Sequence, residues 1–174
     1  MRRSRWAMIS SASFAVIACA VGCGGNFSGD PSLEVALPDR DQFINGGVNG
    51  MMERKCGGLD CHGQVGRPLR IYSANGLRLT RNPDSPRPTT ATTDAEKIAN
   101  YYSVVGLEPE ILGYARVEGV NAHFPVMQLL KKPLDISGQG VRHKGGPVLR
   151  QTDKAFNCLV TWIEGQVKSD DCND

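Results

Sequence analysis

The chain has 174 residues, of which 40% are hydrophobic and 22% are charged, as in an ordinary soluble globular domain. This composition excludes a chain that is disordered throughout, a collagen and a protein with many membrane spans. The 20 Lys and Arg residues nearly balance the 18 Asp and Glu residues, and no basic stripe with interleaved aromatic residues occurs. The sequence therefore predicts no nucleic-acid partner. Six cysteines is a high number for this length, and their positions carry most of the functional information.

The N-terminus has the pattern of an export signal. Three arginines within the first five residues precede an uncharged, mostly apolar run over residues 6–21. Two cysteines near its end, Cys19 and Cys23, follow small residues in a pattern that resembles the bacterial lipobox, in which a cysteine is lipid-modified. We favour Cys23, because processing there leaves four cysteines, whereas processing at Cys19 leaves Cys23 unpaired in an oxidising compartment.

These features divide the chain into three parts. We predict a lipoprotein signal peptide over residues 1–22, the lipidated Cys23 with a flexible tether over 23–37, and one folded domain over 38–174. A lipoprotein anchor carries several acyl chains, which hold a protein stably on a membrane. The expected location is the cell envelope, on the outer membrane and facing the periplasm or the cell surface. Secretion without an anchor is the alternative.

The first half of the domain contains one predicted helix and several loops. Apolar residues at helical spacing predict a helix over residues 39–55, although three glycines within it weaken the prediction. Residues 71–80 indicate a short extended pair around the turn dipeptide Asn75–Gly76. Residues 81–93 are rich in Pro and Thr and predict a loop.

The second half is more clearly helical. Thr93 and Glu96 have the spacing of a capping box that opens a helix. Pro109 is typical of the first turn of another short helix, and residues 131–147 predict a Gly-rich loop. Residues 153–167 give the strongest helical pattern in the chain. The side chains expected to face inward from the first and last of these helices are Ile98, Ala99, Tyr102, Val105, Phe156, Leu159, Val160, Ile163 and Val167.

The most informative stretch is Cys56 to Gly63. Two cysteines, the second followed at once by a histidine, are typical of covalent c-type haem attachment. The thiols of Cys56 and Cys61 would add to the two haem vinyl groups, and His62 would be the proximal ligand. Four residues separate the cysteines where two are usual, so the extra residues must bulge out, and Gly57–Gly58 supplies the backbone freedom. Such haem is attached outside the cytoplasm, in agreement with the export signal.

Other interpretations of this stretch remain open. In an oxidising compartment Cys56 and Cys61 can form a small-loop disulfide, with His62 incidental and no cofactor. Cys56, Cys61, His62 and a distant histidine could instead bind zinc, which takes four ligands. A thiol-disulfide enzyme is less favoured, because such enzymes use a spacing of two residues. No G-x-S-x-G, Walker, dinucleotide-binding or H-E-x-x-H motif is present. Under the haem interpretation we expect an electron-transfer protein rather than an enzyme.

Four segments occur in a fixed order over most of residues 40–167. They are Cys61-His62-Gly63, Leu129-Leu130-Lys131-Lys132-Pro133, His143-Lys144-Gly145-Gly146 and Trp162-Ile163-Glu164-Gly165. Together they resemble a bacterial cytochrome c-like domain, and more narrowly the small exported c-type-like modules common in planctomycetes and myxobacteria. The resemblance implies a mainly α, single small cytochrome c-like helical domain with long ordered loops. It also implies one haem c and an envelope redox partner.

A haem of this type has a second axial position, and three residues are candidates for it. His143 lies in the loop that the resemblance singles out, beside glycines that permit close approach to a macrocycle. Met127 lies about where a cytochrome c places its methionine, and a Met ligand raises the potential. Core packing is the alternative for Met127, and a backbone-bonded loop residue is the alternative for His143. His123 is expected to be exposed.

Two further features complete the prediction. Cys158 lies on the last predicted helix and Cys172 follows fourteen residues later, in a tail that can fold back, so we expect these two to pair. Four cysteines allow three connectivities, and under the haem interpretation only this one remains. A locally basic region is a docking face for an acidic redox partner or a set of solvated loop charges. It comprises Lys131, Lys132, Arg142, His143 and Lys144.

Overall fold

A computed structural model of the chain describes residues 35–80 and 90–173. All of these residues belong to one compact unit, Val35–Asp174. The predicted signal peptide, Cys19, Cys23, most of the tether and most of the Pro/Thr loop lie outside them. Among the helices of the described residues, none has the length and apolar character that crossing a membrane requires.

The described part of the chain is mainly helical, which confirms the predicted class. It contains no named strand, only two isolated bridges, Tyr72–Leu77 and Leu134–Leu149. The helices are α1 (Arg40–Asn45), α2 (Val48–Cys56), α3 (Asp94–Val105), α4 (Pro109–Glu118), α5 (Val120–His123), α6 (Gln128–Lys131), α7 (Lys154–Ile163) and α8 (Ser169–Cys172). Helix α2 contacts α1, α3, α7 and α8 and therefore lies at the centre of the packing.

The prediction of one helix over residues 39–55 is wrong, because two helices occupy this range. Asp39 caps α1 by accepting a 2.7 Å hydrogen bond from the backbone N–H of Gln42. The chain then turns at Gly47, whose φ of 93° is left-handed and favours glycine. Helix α2 starts anew at Val48. The break lets α1 and α2 pack against each other as separate elements.

The capping box of α3 is confirmed, but part of its predicted inward face is wrong. The Glu96 N–H donates to Thr93 Oγ1 and the Thr93 N–H donates to Glu96 Oε2. Ile98 and Tyr102 are 37% and 56% exposed instead of buried. The buried face includes two polar residues, Glu96 and Asn100, which a hydrophobic pattern does not count. The apolar residues buried on this helix are Tyr101, Val104 and Val105.

The later helices agree more closely with the sequence pattern. Helix α4 begins at Pro109 as predicted. Helix α7 begins after Asp153, but it ends at Ile163 rather than reaching Val167. The left-handed φ of 78° at Gly165 turns the chain away from the helix axis. Phe156, Leu159 and Ile163 are buried as predicted, whereas Val160 and Val167 are only partly buried.

An aromatic cluster forms the centre of the core. Phe43 lies 5.7 Å from Tyr101 and 5.1 Å from Trp162, measured between ring centroids. The two polar rings also find buried partners, as amphipathic aromatic side chains require. Tyr101 donates to the carbonyl of Pro38 at 2.9 Å, and Trp162 Nε1 donates to the carbonyl of Asp39 at 2.8 Å. These contacts fasten the segment that leads into α1.

The predicted pairing of Cys158 with Cys172 is confirmed. The disulfide joins α7 to α8 across a Cα–Cα distance of 5.1 Å, and both cysteines are fully buried. It closes a loop of fourteen residues at the C-terminus. The bridge therefore holds the tail of the chain on the core.

Removal of this disulfide should destabilise the protein measurably. We expect Cys158→Ala/Cys172→Ala to lower the free energy of unfolding by about 3 kcal/mol, because the unfolded chain loses its cross-link. Urea denaturation of the double variant and the oxidised wild type measures the difference. A reducing agent should shift the midpoint of the wild type and leave that of the variant unchanged. Equal midpoints for the variant and the oxidised wild type would contradict the expectation.

Candidate functional site

A cavity of about 330 Å³ lies among α2, α6, α7 and the loops that follow α2 and α6. Most of its wall is apolar. The apolar lining residues are Met52, Pro68, Leu69, Leu107, Leu129, Pro133, Val148, Leu149 and Leu159. The polar groups are two lysines, two cysteines, two histidines and one glutamine, with no Asp or Glu. They are Lys55, Lys132, Cys56, Cys61, His62, His143 and Gln128.

The loop Cys56 to Gly63 forms one wall of this cavity, and it closes back on the end of α2. The backbone N–H of His62 donates to the carbonyl of Cys56 at 3.0 Å. The N–H of Cys61 donates to the carbonyl of Gly58 at 3.0 Å. As a result Cys56, Cys61 and His62 all line the same cavity although four residues separate the two cysteines.

Three glycine backbones meet behind this wall. A Cβ atom on Gly63 or on Gly76 would lie 2.1 Å from the carbonyl oxygen of Gly57. The same oxygen accepts a 2.6 Å hydrogen bond from the buried Ser73 hydroxyl. Real Cβ atoms do not approach an oxygen so closely, so any side chain at Gly63 or Gly76 forces the backbones apart. We call Gly57, Gly63 and Gly76 the glycine junction.

A buried amide fixes the segment that lies next to His62. Asn100 on α3 is fully buried, and its Oδ1 accepts from the backbone N–H of Tyr72 at 2.6 Å. Its Nδ2 donates to the carbonyl of Tyr72 and to Oδ1 of Asn49 on α2, both at 2.9 Å. One side chain thus ties α2, α3 and the segment after the Cys–His loop together. This support is rigid because every polar atom of the amide is hydrogen-bonded.

The rings of His62 and His143 lie close together in the cavity. In each ring, Nδ1 has a hydrogen-bond partner and Nε2 has none among the described residues. Their ring centroids are 5.8 Å apart and their planes differ by 13°. Nδ1 of His62 is 3.0 Å from the carbonyl of Leu69, and Nδ1 of His143 is 3.2 Å from that of Gly146. A carbonyl can only accept, so Nδ1 is the donor in both rings, and the neutral form of each ring has its lone pair on Nε2. This is the usual arrangement of histidines that bind a metal through Nε2.

The electrostatic environment keeps His62 neutral. Burial lowers the pKa of His62, and the neighbouring His143 and Arg67 lower it further. The hydrogen bond to the Leu69 carbonyl acts in the opposite direction but does not outweigh burial. A neutral imidazole at neutral pH is the form that ligates a metal. The electrostatics of the site therefore agree with a ligand role for His62.

Cys56 and Cys61 are both half-buried free thiols and are not joined to each other. Burial, followed by the proximity of Cys61, raises the pKa of the Cys56 thiol to about 12. A thiol of this kind stays protonated at neutral pH, so it is a poor thiolate nucleophile. Among the residues that the structure describes, no group of three or more His, Cys, Asp and Glu side chains is placed to hold a metal ion.

The structure separates the three candidates for the second axial position. His143 lies in the cavity with His62. Met127 is fully buried in the core and does not line the cavity. His123 lies outside the cavity, where its Nε2 is 2.7 Å from Glu118 and its ring stacks on Tyr114.

The four segments singled out in the sequence lie in two different places in the structure. Three of them reach the cavity, through Cys61 and His62, through Leu129 and Lys132, and through His143. The fourth does not, because Trp162 is fully buried against Phe43 in the core. In the basic region, Lys132 lines the cavity mouth and donates to the carbonyl of Arg142, while Lys131 donates to the carbonyl of Pro125.

Sequence analysis missed the residues that support the site. Asn49, Asn100 and Ser73 carry no motif, and their only signal is that they are polar residues within elements otherwise predicted to be apolar on one face. Glu108 was also missed. Its carboxylate accepts from the backbone N–H groups of Gln128 and Leu129, which positions α6 at the cavity.

Comparison of the chain with protein-family models, with curated proteins and with solved structures finds no match in any of the three. The interpretation of the cavity therefore rests on its own geometry and chemistry.

Proposed function

We propose that this protein is a cytochrome c-like electron carrier of the cell envelope, with one haem attached through Cys56 and Cys61 and His62 as proximal ligand. One observation carries the proposal: two free thiols and a neutral imidazole line one apolar cavity, and a second imidazole lies 5.8 Å from the first. When bound, the haem would take up and release single electrons. The protein contributes attachment, axial ligation and exclusion of water.

The chemistry of the cavity wall fits a haem. The porphyrin is a large apolar ring, and the wall offers mainly Leu, Val, Met and Pro side chains. Haem also carries two carboxylate groups, and Lys55 and Lys132 are the charged lining residues, with no carboxylate among them to repel an anion. The cavity wall therefore offers apolar side chains for the ring, lysines for the carboxylates, and side chains for attachment and ligation.

The spacing of the two histidines favours His143 as the second axial ligand. Of the three candidates, His143 is the one that lines the same cavity as His62, with the ring centroids 5.8 Å apart. Each ring has its Nε2 lone pair available. Two imidazole ligands give a lower potential than a His and Met pair, because a Met ligand raises it. We therefore propose a carrier at the low end of the potential range.

The zinc interpretation is less well supported. A structural zinc site gathers four ligands around one point, and the described residues contain no group of even three placed to do so. A haem c would instead need two thiols for attachment, which Cys56 and Cys61 would supply, and an imidazole ligand, which His62 would supply. The spread of Cys56, Cys61, His62 and His143 over the cavity wall suits the second demand better.

The remaining parts of the proposal concern location and partner. Lipidation of Cys23 would hold the domain on the outer membrane, facing the periplasm or the cell surface. Lys55 and Lys132 at the cavity, with Arg142 and Lys144 beside it, would favour the encounter with an acidic redox partner. Such an encounter should slow at high ionic strength, because salt screens surface charges.

The test is intact mass and a visible spectrum of the protein, produced in a host that attaches c-type haem. We expect a mass gain of about one haem and a Soret band, with haem remaining on the chain after denaturation. Cys56→Ala/Cys61→Ala should lose covalent haem entirely, because no thiol remains at the cavity to form a thioether. The matched variant Cys158→Ala/Cys172→Ala should keep it.

The same two measurements can also contradict the proposal. A mass lower by about four protons with no visible absorption would mean two disulfides, Cys56–Cys61 and Cys158–Cys172. The protein would then be a non-haem envelope lipoprotein acting as a structural or interaction module, and the proposal of an electron carrier would be wrong.

A further inference from the structure

One side of helix α4 forms an exposed patch of apolar residues. Glu110, Tyr114, Val117 and Glu118 follow one another along it at helical spacing. Tyr114 and Val117 are 53% and 75% exposed, and the ring of His123 stacks on Tyr114. Single exposed apolar residues are ordinary, whereas neighbouring ones on one helix face indicate a contact surface. The residues buried on the other side of α4 are Leu112, Gly113 and Ala115.

This side of α4 is also acidic. Glu110 and Glu118 are exposed at its two ends. The arginine of the helix, Arg116, does not neutralise them, because its guanidinium is engaged elsewhere and donates to the carbonyl of Glu164 at 2.9 Å. We call Glu110, Tyr114, Val117 and Glu118 the acidic face. It presents an aromatic ring and a valine between two carboxylates.

A group of cations lies around His143. Arg142 and Lys144 flank this histidine in the chain, and both are exposed. Lys132 is exposed as well, and its ammonium group donates to the carbonyl of Arg142 at 3.2 Å, which brings a third cation to the same place. We call Lys132, Arg142 and Lys144 the basic triplet.

A second cavity, of about 360 Å³, lies beside the basic triplet. Arg142 lines it together with Ile136, which is 77% exposed. Asp135 also lines it, but its carboxylate is engaged locally by the Ser137 hydroxyl at 2.6 Å and the Gly138 N–H at 2.7 Å. A cavity bordered by cations and an exposed isoleucine is complementary to a projecting ring bordered by carboxylates.

We propose that the acidic partner of this protein is a second copy of the same chain, whose acidic face docks on the basic triplet and places Tyr114 in the second cavity. Charge complementarity carries the proposal, because Glu110 and Glu118 of one copy meet Arg142 and Lys144 of the next. The two faces differ from each other. A two-fold dimer therefore makes the contact twice, and an open chain of copies makes it once per neighbour.

Both faces are close in sequence to residues of the first cavity. Leu107, which lines that cavity, lies two residues before α4, and Glu108 accepts from the N–H groups of Gln128 and Leu129, which also line it. On the basic side, Lys132 lines the first cavity itself. The role of the contact rests on the proposed function: one copy is oxidised and its neighbour is reduced by one electron, with no bond formed or broken. The contact itself requires no haem.

The test is sedimentation velocity over a series of protein concentrations. It uses the exported chain with Cys19→Ser and Cys23→Ser, so that no lipid anchor contributes to association. We expect the mean mass to rise with concentration at low ionic strength and to return to that of the monomer at high ionic strength, because salt screens the charges. Tyr114→Ser/Val117→Ser leaves the charge unchanged and should weaken the association about tenfold.

Two charge reversals make the test specific for these two faces. Glu110→Lys/Glu118→Lys and Arg142→Glu/Lys144→Glu should each stay monomeric, because each variant brings like charges into contact. An equal mixture of the two should associate again, since each variant then meets a partner of opposite charge.

Arg40→Glu/Lys168→Glu is the matched control. It changes the net charge as much as Arg142→Glu/Lys144→Glu, at exposed positions in α1 and just before α8, and should associate like the parent chain. A parent chain that stays monomeric throughout, or a mixture of the reversed variants that does, overturns the inference. If that chain carries haem, the proposed function stands with a different acidic protein as partner. The expected association pattern in a chain without attached haem supports the contact and overturns the proposed function.

Discussion

Arg78→Ala is expected to lower the free energy of unfolding by about 3–5 kcal/mol, since it leaves a buried carboxylate without its counter-charge. Arg78 and Glu96 form an ion pair at 2.7 Å, and their side chains are only 8% and 3% exposed. The guanidinium also donates to the carbonyls of Thr90 and Ala91. Urea denaturation at neutral pH measures the loss.

Two further variants make this result specific. Arg70→Ala removes an exposed arginine and should change the stability by no more than about 0.5 kcal/mol. Arg78→Met/Glu96→Gln removes the charge from both partners and keeps an acceptor for one of the two N–H groups, those of Thr93 and Leu79, that bond to separate oxygens of Glu96, so it should recover part of the loss. A loss in Arg78→Ala no larger than that in Arg70→Ala would show that the pair contributes little.

The same pair gives the stability of the protein a predictable dependence on pH. Burial alone would raise the pKa of Glu96, but hydrogen bonds from Arg78, Thr93 and Leu79 outweigh it and lower the pKa to about 2. Because the folded pKa is below the ordinary value of 4.5, the contribution is complete above that pH and is lost as pH falls toward 2. The difference between wild type and Arg78→Ala should therefore shrink from pH 7 to pH 3.

Gly63→Ala is the second substitution for which we expect a large effect. Its Cβ would lie 2.1 Å from the carbonyl oxygen of Gly57 and 2.8 Å from that of Gly58, both rigid backbone atoms. We expect a loss of about 3 kcal/mol or more, together with a lower yield of attached haem, because the loop carrying Cys61 and His62 is displaced. Thermal denaturation and the Soret absorbance per protein measure the two effects.

Gly58→Ala provides the matched control for this change. Gly58 belongs to the same loop, has no positive φ, and a Cβ atom there meets nothing within 4 Å. Its stability and haem yield should stay close to those of the wild type. If Gly63→Ala behaved like Gly58→Ala, the close packing at the glycine junction would not be a requirement of the site.

Local signals allowed parts of this fold to be predicted from the sequence. The capping box at Thr93 and the Pro109 start of α4 each act over a few residues and are confirmed, and the apolar spacing of α7 is confirmed up to Ile163, where the helix ends. The two failures have different causes, one in the local backbone and one in tertiary contacts. Gly47 breaks the first helix by its left-handed backbone, and the buried face of α3 contains Glu96 and Asn100 because partners from elsewhere satisfy them.

The sequence indicated some of the residues that line the cavity but none of the contacts that support it. Adjacency along the chain brings Cys61 and His62 together, whereas the approach of His143 to His62 depends on packing across eighty residues of sequence. The expected role of Gly57–Gly58 was backbone freedom for a bulge. Neither residue has a positive φ; Gly57 is needed because a Cβ there would lie 2.7 Å from Ser73. A contact of this kind has no signal in sequence spacing.

The fastening of the segment before α1 has a mechanical consequence. The carbonyls of Pro38 and Asp39 accept hydrogen bonds from the Tyr101 hydroxyl and the Trp162 indole. Val35 packs closely on Gly113, since a Cβ atom on Gly113 would lie 2.7 Å from the Val35 side chain. Tension applied to the domain through residue 35 is thus borne by α3, α4 and α7 in parallel. These three helices share the load with α1, so a pull on the leading end of the domain does not act first on the cavity wall that α2 provides.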